Sequence, residues 1–457
     1  MAEAVITRDV TRWGIPELRG HTIPGFHYTS KAFAEQEWDN MWTKVWLLLG
    51  RESDMPNYGD WQMEEVGPES IIMVRQEDGS IKAFYNVCQH RGNPLVDEEK
   101  GSVKRFVCRY HSWAFMPDGS LNFAPDRHDF PQGDPCDHVR LEELPCDTFA
   151  GFVWVNMDPD CVSLKEYLGP IWEDWQRWEI QNWRRYVGLT TELPCNWKVV
   201  LDNFNESYHV PTVHMGASLQ TNRRKVFGNV NTNVDETLFD MSEEGQNRMI
   251  MEGGYAAGQT DKMGNIMEPM ASELRDWGID PADFKGRPED TRLALQKAKR
   301  EHGPERGHTH YNNLPDAALT DAFHYTLFPN FAVSVWADGF HFLRARPHAS
   351  GDPEQCVFDN WWYCSQPEGE KGPVGTQIGS LPRNHPDEHI KFKLGERSMG
   401  KTIDEDIAVF TMQQRGFRSR GYKGAYLAQQ ENRVRRYHEL IDDYIEGRRP
   451  LKQKKAK

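Results

Sequence analysis

Residues 88–111 read Cys88-Gln-His90-Arg-Gly-Asn-Pro-Leu-Val-Asp-Glu-Glu-Lys-Gly-Ser-Val-Lys-Arg-Phe-Val-Cys108-Arg-Tyr-His111. The stretch holds two pairs of metal-binding side chains, Cys88 with His90 and Cys108 with His111, separated by 17 residues. The hydrophobic runs around it place each pair at the tip of a predicted hairpin. Two thiolates and two imidazoles suit either a zinc ion or an iron-sulfur cluster.

The spacing within the pairs distinguishes these two kinds of site. Structural zinc sites usually separate their first two ligands by two to four residues, whereas Cys88 and His90 have one residue between them. The whole pattern is typical of a Rieske [2Fe-2S] centre, in which two thiolates hold one iron and two imidazoles hold the other. Zinc stays as the alternative. Trp113 and Phe115 are interpreted either as a shield for this centre or as plain core residues.

The sequence around the two pairs predicts an antiparallel β domain over residues 44–160. Short apolar runs alternate there with turn signals, among them 77–79 (Glu-Asp-Gly) and 117–119 (Pro-Asp-Gly). Residues 1–43 are interpreted as an N-terminal segment that packs on a second, larger domain. That domain, residues 161–457, mixes strands and helices without regular βαβ alternation, so the predicted fold class is α+β.

The second domain begins with a predicted helical connector and contains one long polar segment. The segment, about 241–315, is rich in Met and Gly and is predicted to be an irregular insertion of the kind that often covers a site. The predicted strands are 186–193, 324–335, 340–346 and 356–363, and the predicted helices are 163–183, 196–209, 401–416 and 430–446.

The composition argues against several classes of function. Lys plus Arg total 54 and Asp plus Glu total 69, which gives a net charge of −15. A chain of this sign is unsuited to binding nucleic acid through phosphate contacts. No window is apolar enough to cross a membrane and the N-terminus lacks a secretory signal, so we expect a cytoplasmic protein. The eight cysteines are too sparse for a disulfide scaffold, and the basic C-terminus is interpreted as a solvated tail.

A second group of metal-binding side chains lies in the run Asn203-Phe-Asn-Glu206-Ser-Tyr-His209-Val-Pro211-Thr-Val-His214. Glu206 and His209 are three residues apart and would share a helix face. His209 and His214 lie about 140° apart around a regular helix, so they reach one metal only if the helix ends or bends between them. Pro211 supplies a reason for that break. Two imidazoles and one carboxylate form the facial triad of non-haem Fe(II) oxygenases, and the third ligand must come from elsewhere.

The two motifs together resemble the large (α) subunit of Rieske non-haem iron ring-hydroxylating oxygenases, over nearly the whole chain. In that family the distant carboxylate ligand lies in a C-terminal helix, and Asp404-Glu405-Asp406 is similar to that stretch. The resemblance implies Asp406 as the ligand, with Asp404 and Glu405 as competing choices. It implies two cofactors, a [2Fe-2S] cluster at Cys88, His90, Cys108 and His111 and a mononuclear Fe(II) at His209, His214 and Asp406.

The resemblance also implies the fold and the assembly. A Rieske domain would precede a helix-grip (START-like) catalytic domain with a curved antiparallel sheet. In the family the cluster and the iron of one chain are too far apart for efficient electron transfer, which implies a head-to-tail homotrimer (α3), or α3β3 with a small subunit. An acid three residues before the first ligating His bridges between subunits, so Glu206 is implied to contact His111 of the partner subunit.

The function implied is that of a terminal oxygenase that uses O2 and electrons from a separate NAD(P)H reductase, with or without a ferredoxin. It would mono- or dioxygenate an aromatic or other hydrophobic substrate, as in aromatic hydrocarbon catabolism. Most members have Asp where this chain has Glu206. Glu is found in the branch acting on quaternary ammonium compounds such as choline, carnitine or betaines, so oxidative demethylation or cleavage of such a compound is the alternative. Members usually have Gly at the position of Ser112, and we expect a minor backbone adjustment there.

Three further interpretations are kept open. A Rieske electron carrier without oxygenase activity would make the run from Glu206 to His214 incidental. A zinc-stabilised interaction module would leave the protein colourless. The pairs Glu206-x2-His209 and Glu305-x2-His308 also match a di-iron signature, but the second pair lies in a poor helix sequence. We therefore interpret His308, together with His310, as a loop residue.

Overall fold

The computed structural model of the chain describes residues 10–214, 239–251, 260–268, 270–370 and 372–449. None of the helices among these residues is long and apolar enough to cross a membrane. The basic tail beyond residue 449 lies outside the described residues.

The chain divides into two compact units. The described residues of 1–30, 168–345 and 353–440 form the larger unit, and those of 31–167, 346–352 and 441–457 form the smaller one. The domain boundaries given above, after residues 43 and 160, stay predictions.

The smaller unit is built from short antiparallel strands and one helix of some length. Its strands are β1 (Leu47–Arg51), β2 (Asp60–Val66), β3 (Glu69–Arg75), β4 (Ile81–Tyr85), β5 (Lys100–Ser102), β6 (Phe106–Val107), β7 (Ala114–Phe115), β8 (Leu121–Phe123), β9 (Glu143–Leu144), β10 (Cys146–Phe149) and β11 (Phe152–Val155). They form sheets of order β5-β2-β3-β4-β9, β6-β7-β8 and β1-β11-β10. The helices α2 (Lys31–Asn40) and α3 (Leu164–Leu168) flank these strands in the sequence, and the short helix α1 (Phe26–Thr29) belongs to the larger unit.

Both predicted turns of the smaller unit are confirmed, and they are built alike. Asp78 and Asp118 each accept a hydrogen bond of 2.9 Å from the backbone N–H two residues later. Gly79 and Gly119 follow with φ of +86° and +85°, a conformation that glycine adopts without strain. The hydrophobic core of this unit extends from Trp61 and Ile72 to the loops and includes both cysteines of the first motif, Cys88 and Cys108.

The larger unit is organised around an eight-stranded sheet. Its strands are β12 (Arg184–Leu193), β13 (Phe239–Met241), β14 (Asn247–Met251), β15 (Ala322–Leu327), β16 (Phe331–Trp336), β17 (Gly339–Pro347), β18 (Cys356–Cys364), β19 (Val374–Thr376), β20 (Gly379–Leu381) and β21 (His389–Phe392). The order is β13-β14-β15-β16-β17-β18-β12-β21, and β19 pairs with β20 separately. The strand β21 pairs with β12 in parallel, whereas the pairings β12–β18, β13–β14, β14–β15, β15–β16 and β16–β17 are antiparallel. The predicted α+β class with antiparallel sheets is confirmed.

Helices lie before, between and after the strands of this sheet in the sequence. They are α4 (Pro170–Gln176), α5 (Trp197–Phe204), α6 (Val210–Val213), α7 (Met270–Asp276), α8 (Asp290–His302), α9 (Lys401–Phe417) and α10 (Asn432–Ile445). The helix α5 presents buried apolar residues and packs against β16, β18 and α9. This packing brings the chain that follows α5 next to the first turns of α9.

Four predicted elements differ from the structure. The predicted helix 163–183 is divided into α3, α4 and a 3-10 helix at Ile180–Asn182. The predicted strand 324–335 is a hairpin of two strands, β15 and β16. The predicted helix 196–209 ends at Phe204. The segment 241–315 is less irregular than predicted, because its start forms β14 in the sheet and two helices, α7 and α8, follow.

The polar sequence of β14 explains the last of these errors. Arg248 is fully buried there, and its guanidinium donates to Asp174 at 2.6 Å and to Asp240 at 2.7 Å. Because its arginine is buried and paired with acids, β14 has a polar sequence like that of an exposed loop.

Candidate metal centres

The segment that follows α5 carries the second motif. Asn196 caps α5 by accepting a hydrogen bond of 3.0 Å from the backbone of Lys198, and the helix ends at Phe204, before Glu206. A short second helix, α6, then separates the two histidines, with His209 at its N-cap and His214 at its C-cap. The break between helices therefore precedes Glu206. The prediction that it falls at Pro211 was wrong, because a proline is tolerated in the first turn of a helix, where its missing N–H is not needed.

The two histidines and Asp406 converge on one point. The Nε2 atom of His214 lies 3.2 Å from Oδ1 of Asp406, and that of His209 lies 3.5 Å from the same oxygen. One donor atom from each of the three residues lies within 4.8 Å of the others.

The chemistry of this donor set fits a divalent cation. Asp406 is 1% exposed, and its Oδ1 accepts no well-formed hydrogen bond from the described residues although both imidazoles point to it. A buried carboxylate oxygen without a donor is costly, and a cation shared with two imidazoles would compensate it. Two neutral imidazoles and one carboxylate are the ligands of non-haem Fe(II) sites.

A second carboxylate lies behind each imidazole. The Nδ1 atom of His209 is 2.6 Å from Oε1 of Glu206, and Nδ1 of His214 is 3.0 Å from Oε2 of Glu405. Burial is the largest single influence on the pKa of His214 and lowers it, but Asp406 and Glu405 together outweigh burial and raise the pKa. Such carboxylates fix the tautomer of a ligating histidine and raise its basicity.

The three consecutive acids of α9 have three different environments. Asp404 accepts hydrogen bonds from the Ser398 hydroxyl and, at 2.9 Å, from the backbone N–H of Met399, so it closes the start of the helix. Glu405 reaches the outer nitrogen of His214, and Asp406 faces the inner nitrogens of both histidines. Of the three candidates, Asp406 is the one placed to complete the triad.

The two loops of the first motif have the same backbone structure. In the first, Cys88 N–H donates to the carbonyl five residues later at 2.8 Å, and Gly92 N–H donates back to the Cys88 carbonyl at 3.0 Å. Cys108 and Ser112 repeat both bonds at the same distances. Gly92 has a φ of +74° and Ser112 a φ of +59°. Ser112 thus adopts the left-handed conformation that glycine favours, and the expected backbone adjustment relative to family members with Gly stays a prediction.

The four side chains of these loops form one group. The rings of His90 and His111 have centroids 4.6 Å apart at an angle of 76°, and the Cys88 thiol contacts the Cys108 thiol. Nδ1 of His90 is buried and has no hydrogen-bond partner among the described residues. Burial, together with the neighbouring thiol, raises the pKa of Cys88 to about 11, so only a bound metal would make it a thiolate at neutral pH. Two thiols and two imidazoles in this arrangement fit a [2Fe-2S] cluster.

Two family models match the chain. One described as "Rieske [2Fe-2S] domain" matches residues 45–140, and one described as "Ring hydroxylating alpha subunit (catalytic domain)" matches residues 180–447, more than half of the chain. The chain belongs to the ring-hydroxylating alpha-subunit family. Like other members of the family, it combines a Rieske [2Fe-2S] domain with the catalytic domain of non-haem iron oxygenases.

Curated relatives in this family include monooxygenases and dioxygenases. The chain is 35% identical over 201 residues to the carnitine monooxygenase oxygenase subunit of Escherichia coli (strain K12), covering 43% of this chain and 53% of the relative. It is 33% identical over 207 residues to the large oxygenase component of the naphthalene 1,2-dioxygenase system of Pseudomonas aeruginosa, covering 44% and 45%. The matched region thus spans about half the length of these curated relatives.

Solved structures of the family share the fold over nearly the whole chain. A quaternary ammonium Rieske monooxygenase in complex with L-carnitine superimposes with a TM-score of 0.61 and 20% identity, covering 93% of this chain and 95% of that one. Naphthalene 1,2-dioxygenase with indole bound superimposes with a TM-score of 0.64 and 20% identity, covering 95% of each chain. At this identity the likeness establishes the fold of the alpha-subunit family.

The alpha-subunit catalytic domain also contains residues that the sequence motifs did not reveal. His341 on β17 donates from Nε2 to Oδ1 of Asn360 at 2.6 Å, and the amide of Asn360 donates to the Met399 carbonyl at 2.6 Å. Burial lowers the pKa of His341 to about 4, against opposing effects of Asn360 and Asp406, so the ring is neutral. Its Nδ1 is then a hydrogen-bond acceptor. A single histidine in a strand gives no sequence signal that its ring is buried, neutral and hydrogen-bonded.

A cavity of about 500 Å³ lies in the same domain. One wall is formed by Trp336 and Trp362, whose rings stack with centroids 5.3 Å apart, and the ring of His341 lies 5.1 Å from that of Trp362. The other lining residues include three carboxylates and two cations that are paired within the protein. Glu273 pairs with Lys299 at 2.8 Å, Glu370 pairs with Arg383, and Asp338 contacts His308.

Of the two histidines interpreted as loop residues, His308 does lie outside any helix, at the N-cap position of a short 3-10 helix, whereas His310 lies within that helix. Both are buried. His308 Nδ1 lies 2.7 Å from a carboxylate oxygen of Asp338, and His310 Nε2 lies 2.6 Å from the carbonyl of Ala337. Ala337 and Asp338 directly follow β16, so these two contacts fix the chain at the end of that strand.

Proposed function

We propose that this chain is the oxygenase component of a multicomponent enzyme that uses O2 and electrons from a separate NAD(P)H-dependent reductase to oxygenate an organic molecule. The observation that carries the proposal is the convergence of His209, His214 and Asp406 in a chain that also has a Rieske domain. Bound at these residues, the iron would supply O2 activation and the cluster would supply electrons.

The residues around the triad prepare it for a metal. Glu206 and Glu405 each accept from the outer nitrogen of one imidazole, so the lone pairs of the inner nitrogens face Asp406. Neither His209 nor His214 acts as an acid or a base in this proposal, because both are ligands. A set of three protein donors leaves positions open for small molecules.

We propose further that electrons pass between subunits of a homotrimer, α3 or α3β3, through Glu206. This carboxylate would bridge His209 to His111 of the partner subunit. Support comes from its hydrogen bond to His209 and from the exposure of its neighbour Tyr208, at 54%. We place the enzyme in the cytoplasm, where NAD(P)H is supplied, with a reductase and where needed a ferredoxin as partners.

The first candidate reaction is hydroxylation of an aromatic or other hydrophobic substrate, by mono- or dioxygenation. Relatives such as the large oxygenase component of the naphthalene 1,2-dioxygenase system support it.

The second candidate is oxidative demethylation or cleavage of a quaternary ammonium compound. It is favoured by the aromatic wall of the cavity, because Trp336 and Trp362 would bind a cation through their ring faces. The presence of Glu206 and the likeness to carnitine monooxygenase oxygenase subunits agree with it.

The first experiment quantifies iron and acid-labile sulfide in the aerobically purified protein and records its electron paramagnetic resonance spectrum after dithionite reduction. We expect about three irons and about two sulfides per chain and a signal of the His-ligated cluster type. A colourless protein that contains zinc would overturn the proposal and favour the zinc-stabilised module.

The second experiment separates an oxygenase from an electron carrier. Asp406→Ala should lose the third iron and substrate-dependent O2 consumption but keep the reducible cluster. Equal activity of Asp406→Ala and the unmodified protein would favour a carrier. Substrate screening should then include both aromatic acids and quaternary amines.

A further inference from the structure

Two consecutive side chains of α9 grip opposite nitrogens of one imidazole. Oδ1 of Asp406 lies 3.2 Å from Nε2 of His214, and Oε2 of Glu405 lies 3.0 Å from Nδ1 of the same ring. Neighbouring residues on a helix point about 100° apart, so the longer Glu405 reaches around the edge of the ring while Asp406 faces its inner nitrogen.

We propose that Glu405 is a positioning residue, which fixes the tautomer and the orientation of His214 so that its Nε2 is free to bind the iron. The inference rests on the iron site of the proposed function. It also excludes Glu405 as a direct ligand, because its carboxylate contacts the nitrogen that faces away from Asp406.

The pairing at His214 mirrors the one at His209 but has a different origin. Glu206 is local, three residues before His209, and its Oε2 also accepts from the backbone N–H of His209 at 3.1 Å. Glu405 comes from a helix 191 residues away along the chain. Its bond therefore joins α9 to the end of α6, and both ligand-bearing segments are held in one geometry.

Glu206 and Glu405 also differ in the groups that their carboxylates contact. In the proposed function Glu206 is shared with the partner subunit, whereas Glu405 contacts His214 and no other side chain among the described residues. Loss of Glu405 should therefore weaken iron binding, while electron delivery to sites that still hold iron stays intact.

Asp404 provides a matched control. It is the adjacent acid of the same helix, but its carboxylate binds Ser398 and the backbone of Met399 and contacts no histidine in the described residues. Asp404→Asn should lower thermal stability and leave iron affinity unchanged.

The test measures Fe(II) affinity of the mononuclear site in the full chain, with sulfide content as an internal count of intact clusters. Glu405→Ala should weaken Fe(II) binding by roughly 10- to 100-fold, as outer carboxylates of metal-bound histidines do in other proteins. Glu405→Gln should recover part of the loss, because its amide oxygen still accepts from Nδ1. The nitric oxide adduct of the bound Fe(II) should change its electron paramagnetic resonance signal in Glu405→Ala and stay unchanged in Asp404→Asn.

Two outcomes separate the possible failures. If the unmodified protein binds no iron beyond its cluster, the proposed function fails. If it binds the third iron and Glu405→Ala binds it equally well, or if Asp404→Asn loses as much affinity as Glu405→Ala, the positioning role is refuted while the iron site stands.

Discussion

The imidazole of His90 stacks on the indole of Trp113, with ring centroids 4.7 Å apart and ring planes 9° apart. Trp113 is 4% exposed and its indole also meets Phe130 edge to face at 5.7 Å. The indole therefore covers one face of the His90 ring and shields that face from solvent. Of the two interpretations open for Trp113, shield or core, the structure supports both at once, because the residue is a core member that covers a proposed cluster ligand.

Replacing this indole should expose the cluster. Trp113→Ala is expected to cost about 3–5 kcal/mol of unfolding free energy and to speed loss of the cluster in air, whereas Trp113→Phe keeps an aromatic face on His90. Denaturant titration gives the first quantity, and the decay of visible absorbance with parallel sulfide analysis gives the second. Equal cluster lifetimes in the alanine and phenylalanine variants would contradict the shielding role.

The two cluster loops offer a reciprocal pair of substitutions at equivalent positions. Ser112→Gly should raise the free energy of unfolding by about 0.5–1 kcal/mol, because it relieves a left-handed serine. Gly92→Ser should lower it by about 1 kcal/mol, purely through backbone conformation, since a Cβ there meets nothing within 4 Å. Thermal unfolding followed by cluster absorbance measures both, and shifts of the same sign would contradict the shared geometry of the loops.

The buried ion pair between Arg344 and Asp359 joins β17 to β18. The guanidinium donates to one carboxylate oxygen at 2.6 and 2.7 Å, and both side chains are almost completely buried. Asp359→Asn should cost about 3–5 kcal/mol, because it leaves a buried arginine without its counter-charge. The double variant Arg344→Met/Asp359→Leu should be markedly less destabilised than the single one in urea titrations. As a control, Asp97→Asn, which breaks an exposed pair with Arg109, should change stability by less than about 1 kcal/mol.

Stability should depend on pH through His27. Burial lowers the pKa of its imidazole to about 2, and His438 and Lys198 act in the same direction. The folded protein keeps this ring neutral where the unfolded chain, with an ordinary pKa of 6.5, takes up a proton. This contribution therefore falls as pH drops below 6.5, by about 1.4 kcal/mol per pH unit.

His27→Gln removes that titration. The slope of unfolding free energy against pH, measured in urea between about pH 4 and 6, should decrease by about 1.4 kcal/mol per pH unit, which is the contribution of one proton. An unchanged slope in His27→Gln would show that its ring already titrates in the folded protein.

The ligand motifs were predictable because they are local. Each cluster loop is a closed five-residue structure held by its own backbone, and His209 and His214 flank a single short helix, so spacing alone carries the information. The break before Glu206 was placed wrongly because Pro211 is compatible with both the first turn of a helix and a helix end.

The remainder depended on packing between distant segments. The rotation of α9 against α5 determines which of Asp404, Glu405 and Asp406 faces both histidines. The spacing of three adjacent acids in the sequence does not distinguish between them. The strand β14 was missed because Arg248 is neutralised by acids elsewhere in the chain. His341 and the cavity residues likewise come together only through the order of the sheet.

The cavity lined by Trp336 and Trp362 offers a test that distinguishes the two substrate candidates. Trp362 has an indole that stacks on Trp336 and borders the cavity, and a quaternary ammonium group bound there would gain about 0.5–2 kcal/mol from the aromatic faces. Trp362→Leu should then weaken binding of carnitine or choline by roughly 3- to 30-fold, whereas Trp362→Phe should retain most of the affinity. Titration calorimetry of the iron-loaded protein measures this, with 3,3-dimethylbutan-1-ol, the uncharged isostere of choline, as the control ligand. If Trp362→Leu weakens the charged and the uncharged ligand equally, the wall recognises shape alone, and a hydrophobic substrate becomes the better candidate.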